Sequence, residues 1–306
     1  MKLVFFGTPD IAVPILETLH SISEFEIISV FTQPDKPSGR KKIITSSPVK
    51  IAAKKLGLKI FQPHSKKELI ESTKNIEADF FIVIAYGLIF PEEVLEIPKF
   101  GAINIHFSLL PKYRGASPIQ ESILNGDKET GISIIKIDKD LDHGPIFLAK
   151  RLKIEDNDTY STLSKKQSIL SANILPLVLE DIVKGNLYPI KQDHSKASFC
   201  KKIIKENGKI NWNKKTSEIK NMIRAYQKWP TAYTEFKGKI LKILEAEELI
   251  SSHDYSPGKF LIENKILKIS AINGYIIPKR VQLEGKTEMD IHAFINGYGN
   301  LIQSKS

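Results

Sequence analysis

The chain has 306 residues, 42% hydrophobic and 26% charged, with a formal net charge of +10 and a single cysteine, Cys200. That length accommodates two domains with a core in each, and the balance is that of a soluble globular protein. One cysteine excludes an internal disulfide and a cysteine-rich metal site and points to a reducing, cytoplasmic compartment; no apolar run approaches the roughly 20 residues that a membrane span needs.

Leu3 to Gly7 is a short apolar run followed at once by Thr8-Pro9-Asp10, which reads as a first strand rather than a signal peptide. Ile11, Ile15, Leu16 and Leu19 fall at helical spacing, and Glu26–Thr32 alternates into a second strand. A β-α-β start implies a parallel sheet. The turn between carries Gly7 alone where a dinucleotide fingerprint needs three glycines, which argues against a nicotinamide cofactor. Pro34 to Lys42 is a basic loop, ending at a helix start with Ser47 as N-cap and Pro48 in the first position. Basic loops are usually only solvated; this one follows a strand at the ligand edge of the sheet, which favours substrate contact.

A strand at Ile60–Pro63 and a helix at Lys66–Lys74 come next, then Ala78–Ala85, a continuous apolar strand of the kind found in a sheet covered on both faces. It ends in Tyr86-Gly87-Leu88-Ile89-Phe90-Pro91, either a pocket edge for a flat ligand or an ordinary turn. The next apolar stretch, from Phe100, leads into Asn104-Ile105-His106-Phe107-Ser108-Leu109-Leu110-Pro111. Asn104 and His106 are two apart, so on a strand they point the same way, at the end where open α/β sheets hold ligands. Asp142, in the glycine-bounded turn from Asp138 to Gly144, can supply a third polar group.

An amide, an imidazole and a carboxylate suit acyl transfer without a protein nucleophile. The amide and a protonated imidazole can hold a tetrahedral oxyanion, and the carboxylate can pair with the imidazole and relay protons through water. No nucleophile elbow and no cysteine beside a base is evident, which disfavours an acyl-enzyme. Taken singly, each of the three is more often structural, and one histidine with one aspartate is too few ligands for a metal.

Helical signals follow at Pro118–Asn125 and Thr159–Lys184, and strand signals at Thr130–Ile137 and Pro145–Leu152. Residues 1–189 then form one expected domain, the polar, lysine-rich 190–208 a linker, and 209–306 a second domain. That second part has a helix at Ser217–Ala225 and short strands at Ala232–Phe236, Lys239–Glu247, Gly258–Glu263, Ile266–Ser270 and Gly274–Val281, which suggests a small barrel. Residues 1–189 hold 24 Lys and Arg against 23 Asp and Glu, whereas 190–306 hold 21 against 12. A solvated lysine-rich surface and a polyanion-tracking face are both compatible with that excess.

Asn104-x-His106 with Ser108-Leu109-Leu110-Pro111 and, downstream, Leu141-Asp142-x-Gly144 resembles the folate-dependent formyltransferase family. Phe5-Phe6-Gly7-Thr8-Pro9, Thr32 to Arg40, Pro48-Val49-Lys50, Ala85-Tyr86-Gly87-Leu88 and Lys112 to Gln120 extend the likeness. So do Ile223-Arg224-Ala225 with Trp229-Pro230, and Gln282 to Lys286; together they cover essentially the whole chain. The resemblance implies a Rossmann-like doubly wound parallel sheet followed by an OB-like barrel. It places Asn104, His106 and Asp142 as the catalytic trio. Ser108, Leu109, Leu110 and Pro111, with Ala85, Tyr86, Gly87 and Leu88, would line the folate site. Arg40, with Lys41 and Lys42 beside it, would hold the tRNA acceptor end. The implied reaction moves a formyl group from 10-formyltetrahydrofolate to initiator methionyl-tRNA, with no metal or nucleotide cofactor, in a monomer. A small-molecule amine such as a nucleotide sugar is the alternative acceptor, and a silent folate- or RNA-binding module the alternative class. Lys112-Tyr113 departs from the family's Arg-Trp but keeps a cation and an aromatic ring.

Overall fold

The computed structural model describes residues 1–38 and 43–303 and divides into two compact units. The first comprises residues 1–118, 130–153 and 164–200, and the second 119–129, 154–163 and 201–306. Arg40, Lys41 and Lys42 lie outside the described residues.

In chain order the elements are β1 (Lys2–Gly7), α1 (Val13–Ser21), β2 (Glu26–Phe31), β3 (Lys36–Ser38), β4 (Ile43–Thr45), α2 (Pro48–Lys55), β5 (Ile60–Phe61), α3 (Lys66–Thr73) and β6 (Phe80–Ile84). These are followed by α4 (Glu92–Leu95), β7 (Ala102–His106), β8 (Arg114–Gly115), α5 (Pro118–Leu124), β9 (Glu129–Lys136), β10 (Ile146–Lys153), α6 (Tyr160–Val183) and β11 (Phe199–Cys200). A seven-stranded sheet runs β10-β9-β7-β6-β1-β2-β5. The five strands from β7 to β5 are parallel, and β9 runs antiparallel beside β7. The expected parallel sheet is therefore a mixed one. Ser47 caps α2 as its sequence predicts: its Oγ accepts from the Lys50 N–H at 3.0 Å.

Aromatic rings hold one face of the sheet. Phe6 sits 4.6 Å from Phe31, 4.9 Å from Phe90, 5.1 Å from Phe81 and 5.4 Å from Tyr86, centroid to centroid. Cutting this ring away leaves a cavity that four rigid neighbours cannot fill, so Phe6→Ala is expected to cost about 3–5 kcal/mol. Urea unfolding measures it, and an unchanged midpoint would contradict the packing described.

The stretch 190–208 differs from the expected linker as far as Cys200. Ile190 bridges to Ile146, Gln192 is buried, and β11 pairs with β8. A polar, lysine-rich composition concealed these contacts because most of them are made by backbone, which composition does not report.

The second unit continues with α7 (Thr216–Ala225), β12 (Tyr233–Phe236), β13 (Lys239–Ile250), β14 (Phe260–Glu263), β15 (Ile266–Ala271), β16 (Gly274–Leu283), β17 (Met289–Asp290) and α8 (Ile291–Gln303). It is an antiparallel half-barrel ordered β12-β13-β16-β15-β14, with β17 against β16. Register shifts between Ile243 and Ala246 bend the long β13, as bulges do. Two apolar clusters fill it, one under α7 (Ile219, Ile223, Ile243, Ile269) and one under α8 (Leu241, Val281, Phe294). Among the described residues no helix is long and apolar enough to cross a membrane.

Candidate active site

The site lies at the carboxyl edge of the first unit's sheet. In β6 and β7, Val83 pairs with Asn104, so the two strands run out side by side into Ala85–Leu88 and Phe107–Pro111. β7 is an inner strand, between β6 and β9, and His106 at its end is buried to 5% exposure. The loop after it is pinned from beneath. Gln167 of α6 donates to Phe107 O at 3.1 Å and Gly131 O at 2.6 Å, and the Ser133 hydroxyl takes the Leu110 N–H and donates to Ser108 O.

Asp142 meets both strand residues. Its Oδ1 lies 3.4 Å from His106 Nδ1 and 3.5 Å from Asn104 Nδ2, and its Oδ2 accepts the Gly115 N–H at 2.8 Å. The opposite edge of the imidazole is fixed, Nε2 lying 2.8 Å from Tyr113 O. A carbonyl only accepts, so Nε2 carries the proton and Nδ1 faces the carboxylate. Nδ1 then donates only in the imidazolium, and the anionic carboxylate is the partner that suits it. Burial pushes the Asp142 carboxyl up, but the hydrogen bond and charge of His106, the Gly115 N–H and the nearby Arg114 charge outweigh it and hold it below its ordinary value.

Positive backbone φ angles aim these groups. Tyr113 (φ 63°) turns its carbonyl to His106, Gly115 (φ 119°) its N–H to Asp142, and Asp142 itself sits at φ 50°. Aspartate tolerates that left-handed region better than most residues, and glycine adopts it freely.

The structure brings Asn104, His106 and Asp142 together. Of the eight residues expected at the folate site, Ala85 and Gly87 are exposed at the strand end, whereas Ser108 and Leu110 are buried. Tyr86 differs from expectation: its ring is buried in the Phe6 cluster at 2% exposure, so its side chain does not line a surface pocket. Only its carbonyl faces the loops, accepting from the Thr8 hydroxyl at 2.9 Å. A continuous apolar strand carries no periodicity to say which way its last residue turns. Sequence reasoning missed Gln192, which donates to Asp142 O at 3.0 Å and Gly144 O at 2.7 Å. Among the described residues no cluster of three or more His, Cys, Asp or Glu could hold a metal.

A doubly wound sheet with polar groups converging at its carboxyl edge has its site where open α/β proteins hold their ligands. The chain matches the formyl transferase family over residues 1–179 and the formyl transferase C-terminal domain over 202–299, and it belongs to the formyltransferase family. It is 44% identical to the methionyl-tRNA formyltransferase of Caldicellulosiruptor saccharolyticus, covering 97% of both chains. It is 41% identical to that of Clostridium tetani, covering 97% of this chain and 96% of the relative. Among solved structures it is similar to WlaRD, a sugar 3N-formyl transferase, at 26% identity and a TM-score of 0.69, covering 94% of this chain and 99% of the other.

Proposed function

We infer that this protein transfers the formyl group of 10-formyltetrahydrofolate to the α-amino group of initiator methionyl-tRNA, producing N-formylmethionyl-tRNA for translation initiation. The observation that carries the reading is the 44% identity, through both units, to a methionyl-tRNA formyltransferase. Two-domain length alone does not separate this from sugar-amine formylation, since WlaRD covers 94% of the chain; its identity of 26% is the weaker match.

The neutral amine attacks the formyl carbon, and the carbonyl electrons move onto oxygen. Asn104 Nδ2 and His106 Nδ1, on one side of β7 and 3.5 and 3.4 Å from the Asp142 carboxylate, hold that oxyanion. Asp142 keeps the imidazole oriented and helps move the proton released by the attacking amine to N10 of the folate, which leaves as the neutral amine when the intermediate collapses. Ser108–Pro111 and, at the end of β6, Ala85, Gly87 and Leu88 line the folate side. Arg40, Lys41 and Lys42, between Ser38 and Ile43 in sequence, hold the acceptor end, and the nine excess positive charges of residues 190–306 track phosphates. The organisation proposed is a formyltransferase domain that extends to Cys200, a short connection up to residue 208 and a tRNA-binding domain over 209–306, acting as a monomer in the cytoplasm.

The test is a formylation assay comparing charged initiator and elongator tRNA with a free nucleotide-sugar amine across salt concentrations. Initiator tRNA is expected to be the preferred acceptor. Its KM is expected to rise roughly a hundredfold between 50 and 200 mM salt if about four phosphates are neutralised, with the folate KM nearly constant. Salt-independent formylation of the free amine, in preference to tRNA, would overturn the reading.

A further inference from the structure

Asp142 holds its carboxylate in place from a left-handed backbone on a turn outside any helix or strand, so something must fix that turn. Gln192 does so from fifty residues away. Its amide nitrogen donates to the carbonyls on both sides of His143, at Asp142 and Gly144, with 3.0 and 2.7 Å separations. Its Oε1 accepts from Arg114 at Nε (3.2 Å) and Nη2 (2.6 Å). Both side chains are buried, Gln192 to 7% exposure and Arg114 to 4%. Arg114 is the residue before Gly115, whose N–H grips the Asp142 carboxylate.

One amide therefore joins the two backbone segments that determine where the acid points: the turn that carries it and the β8 strand that holds it. The arrangement uses all four hydrogen-bonding positions of a primary amide, two donors and two lone pairs, against two carbonyls and one guanidinium. The donors need carbonyls and the acceptor needs a cation, so neither leucine nor glutamate can replace it without leaving buried groups unmatched. Arg114 extends the brace: its Nη2 lies 2.8 Å from His194 Nδ1, and the His194 ring stacks on His143 at 4.0 Å. His143 in turn pairs with Asp138 at 2.7 Å, closing the turn on itself.

We propose that Gln192, braced by Arg114, is a positioning residue for formyl transfer, fixing the Asp142 turn so that the carboxylate meets His106. This rests on the catalytic reading of Asn104, His106 and Asp142. Gln192 touches no substrate. Its loss is expected to lower turnover and leave substrate binding intact, and to matter only while Asp142 is present.

Gln192→Glu keeps size and the acceptor toward Arg114 but sets carboxylate oxygens against two carbonyls; Gln192→Met removes both roles at similar volume. In the full chain with charged initiator tRNA, each is expected to lower kcat at least tenfold, with KM for folate and tRNA within twofold of wild type. Combined with Asp142→Asn, either is expected to lower the residual rate less than twofold, because the group it positions is already lost. Wild-type kcat in either variant, an equal loss in both backgrounds, or a loss confined to KM would overturn the proposal. So would failure of both variants to fold, which would make Gln192 structural only. Near-normal turnover in Asp142→Asn alone would instead sink the catalytic reading, whereas a crippled Asp142→Asn beside a full-rate Gln192→Glu sinks the positioning role alone.

Discussion

Asn104→Ala and Asp142→Ala are each expected to lower kcat by roughly 10²–10³, the loss typical when one donor or its orienting partner leaves an oxyanion site. The two should differ in how they fail. Asn104→Ala removes an N–H and leaves the His106–Asp142 pair, 3.4 Å apart, in place. Asp142→Ala removes the anion that faces Nδ1 and the acceptor that holds the Gly115 N–H at 2.8 Å, so it disturbs both the charge and the loop. Asp142→Asn separates these effects, because its carbonyl oxygen still accepts from Gly115 but carries no charge. Steady-state kinetics with saturating folate and charged initiator tRNA, alongside thermal melts, make the comparison. Near-normal turnover in properly folded Asn104→Ala and Asp142→Ala proteins would remove the assignment of the trio.

The second large effect is expected from a single methyl group. Gly115 has φ 119°, a conformation that residues with a Cβ rarely adopt, and a Cβ there would lie 2.3 Å from Cys200 O. Gly115→Ala must therefore both strain the backbone and part β8 from β11. Strain and overpacking each cost about 1–3 kcal/mol, so a loss of roughly 2–6 kcal/mol is expected. Activity should fall further than stability, because the Gly115 N–H is carried off the Asp142 carboxylate. Gly238→Ala is the control: its φ is 76° but a Cβ there would have no neighbour within 4 Å. Denaturant midpoints and turnover of the two variants decide the matter, and a Gly115→Ala protein matching wild type in both would show that the β8 pairing does not constrain the site.

Legibility in the sequence followed the range of the interaction. Asn104 and His106 declare themselves because period-two alternation is local: two residues apart on a strand are on one side of it. Ser47 is readable for the same reason, being three residues from the N–H it caps. Asp142 has no such periodic signature: a glycine-bounded turn marks it as a candidate, and its match to a family motif ties it to Asn104 and His106. Gln192 and Ser198 had no signal at all, since Ser198 meets Tyr113 across 85 residues through its hydroxyl. α8 was missed for a different reason. Ile291, Phe294, Ile295 and Tyr298 have helical spacing, and Asp290 accepts from the His292 and Ala293 N–H groups as a cap does, but Gly297 and Gly299 interrupt the run and suggest a loop. The β3–β4 pairing was likewise hidden, because strands of three residues in a Pro-, Gly- and Lys-rich stretch have no alternation to read.

The strand β11 has a practical meaning for anyone dissecting the chain. A piece ending at residue 189 would contain Asn104, His106 and Asp142 and every strand of the seven-stranded sheet. It would lack Gln192, the Ser198 carbonyl that takes the Arg114 N–H, and the Phe199–Cys200 backbone that pairs with Arg114 and Gly115. Such a piece would keep its reacting groups and lose their bracing. The place to cut is after Cys200, where the first unit ends in space, rather than where the composition of the sequence changes.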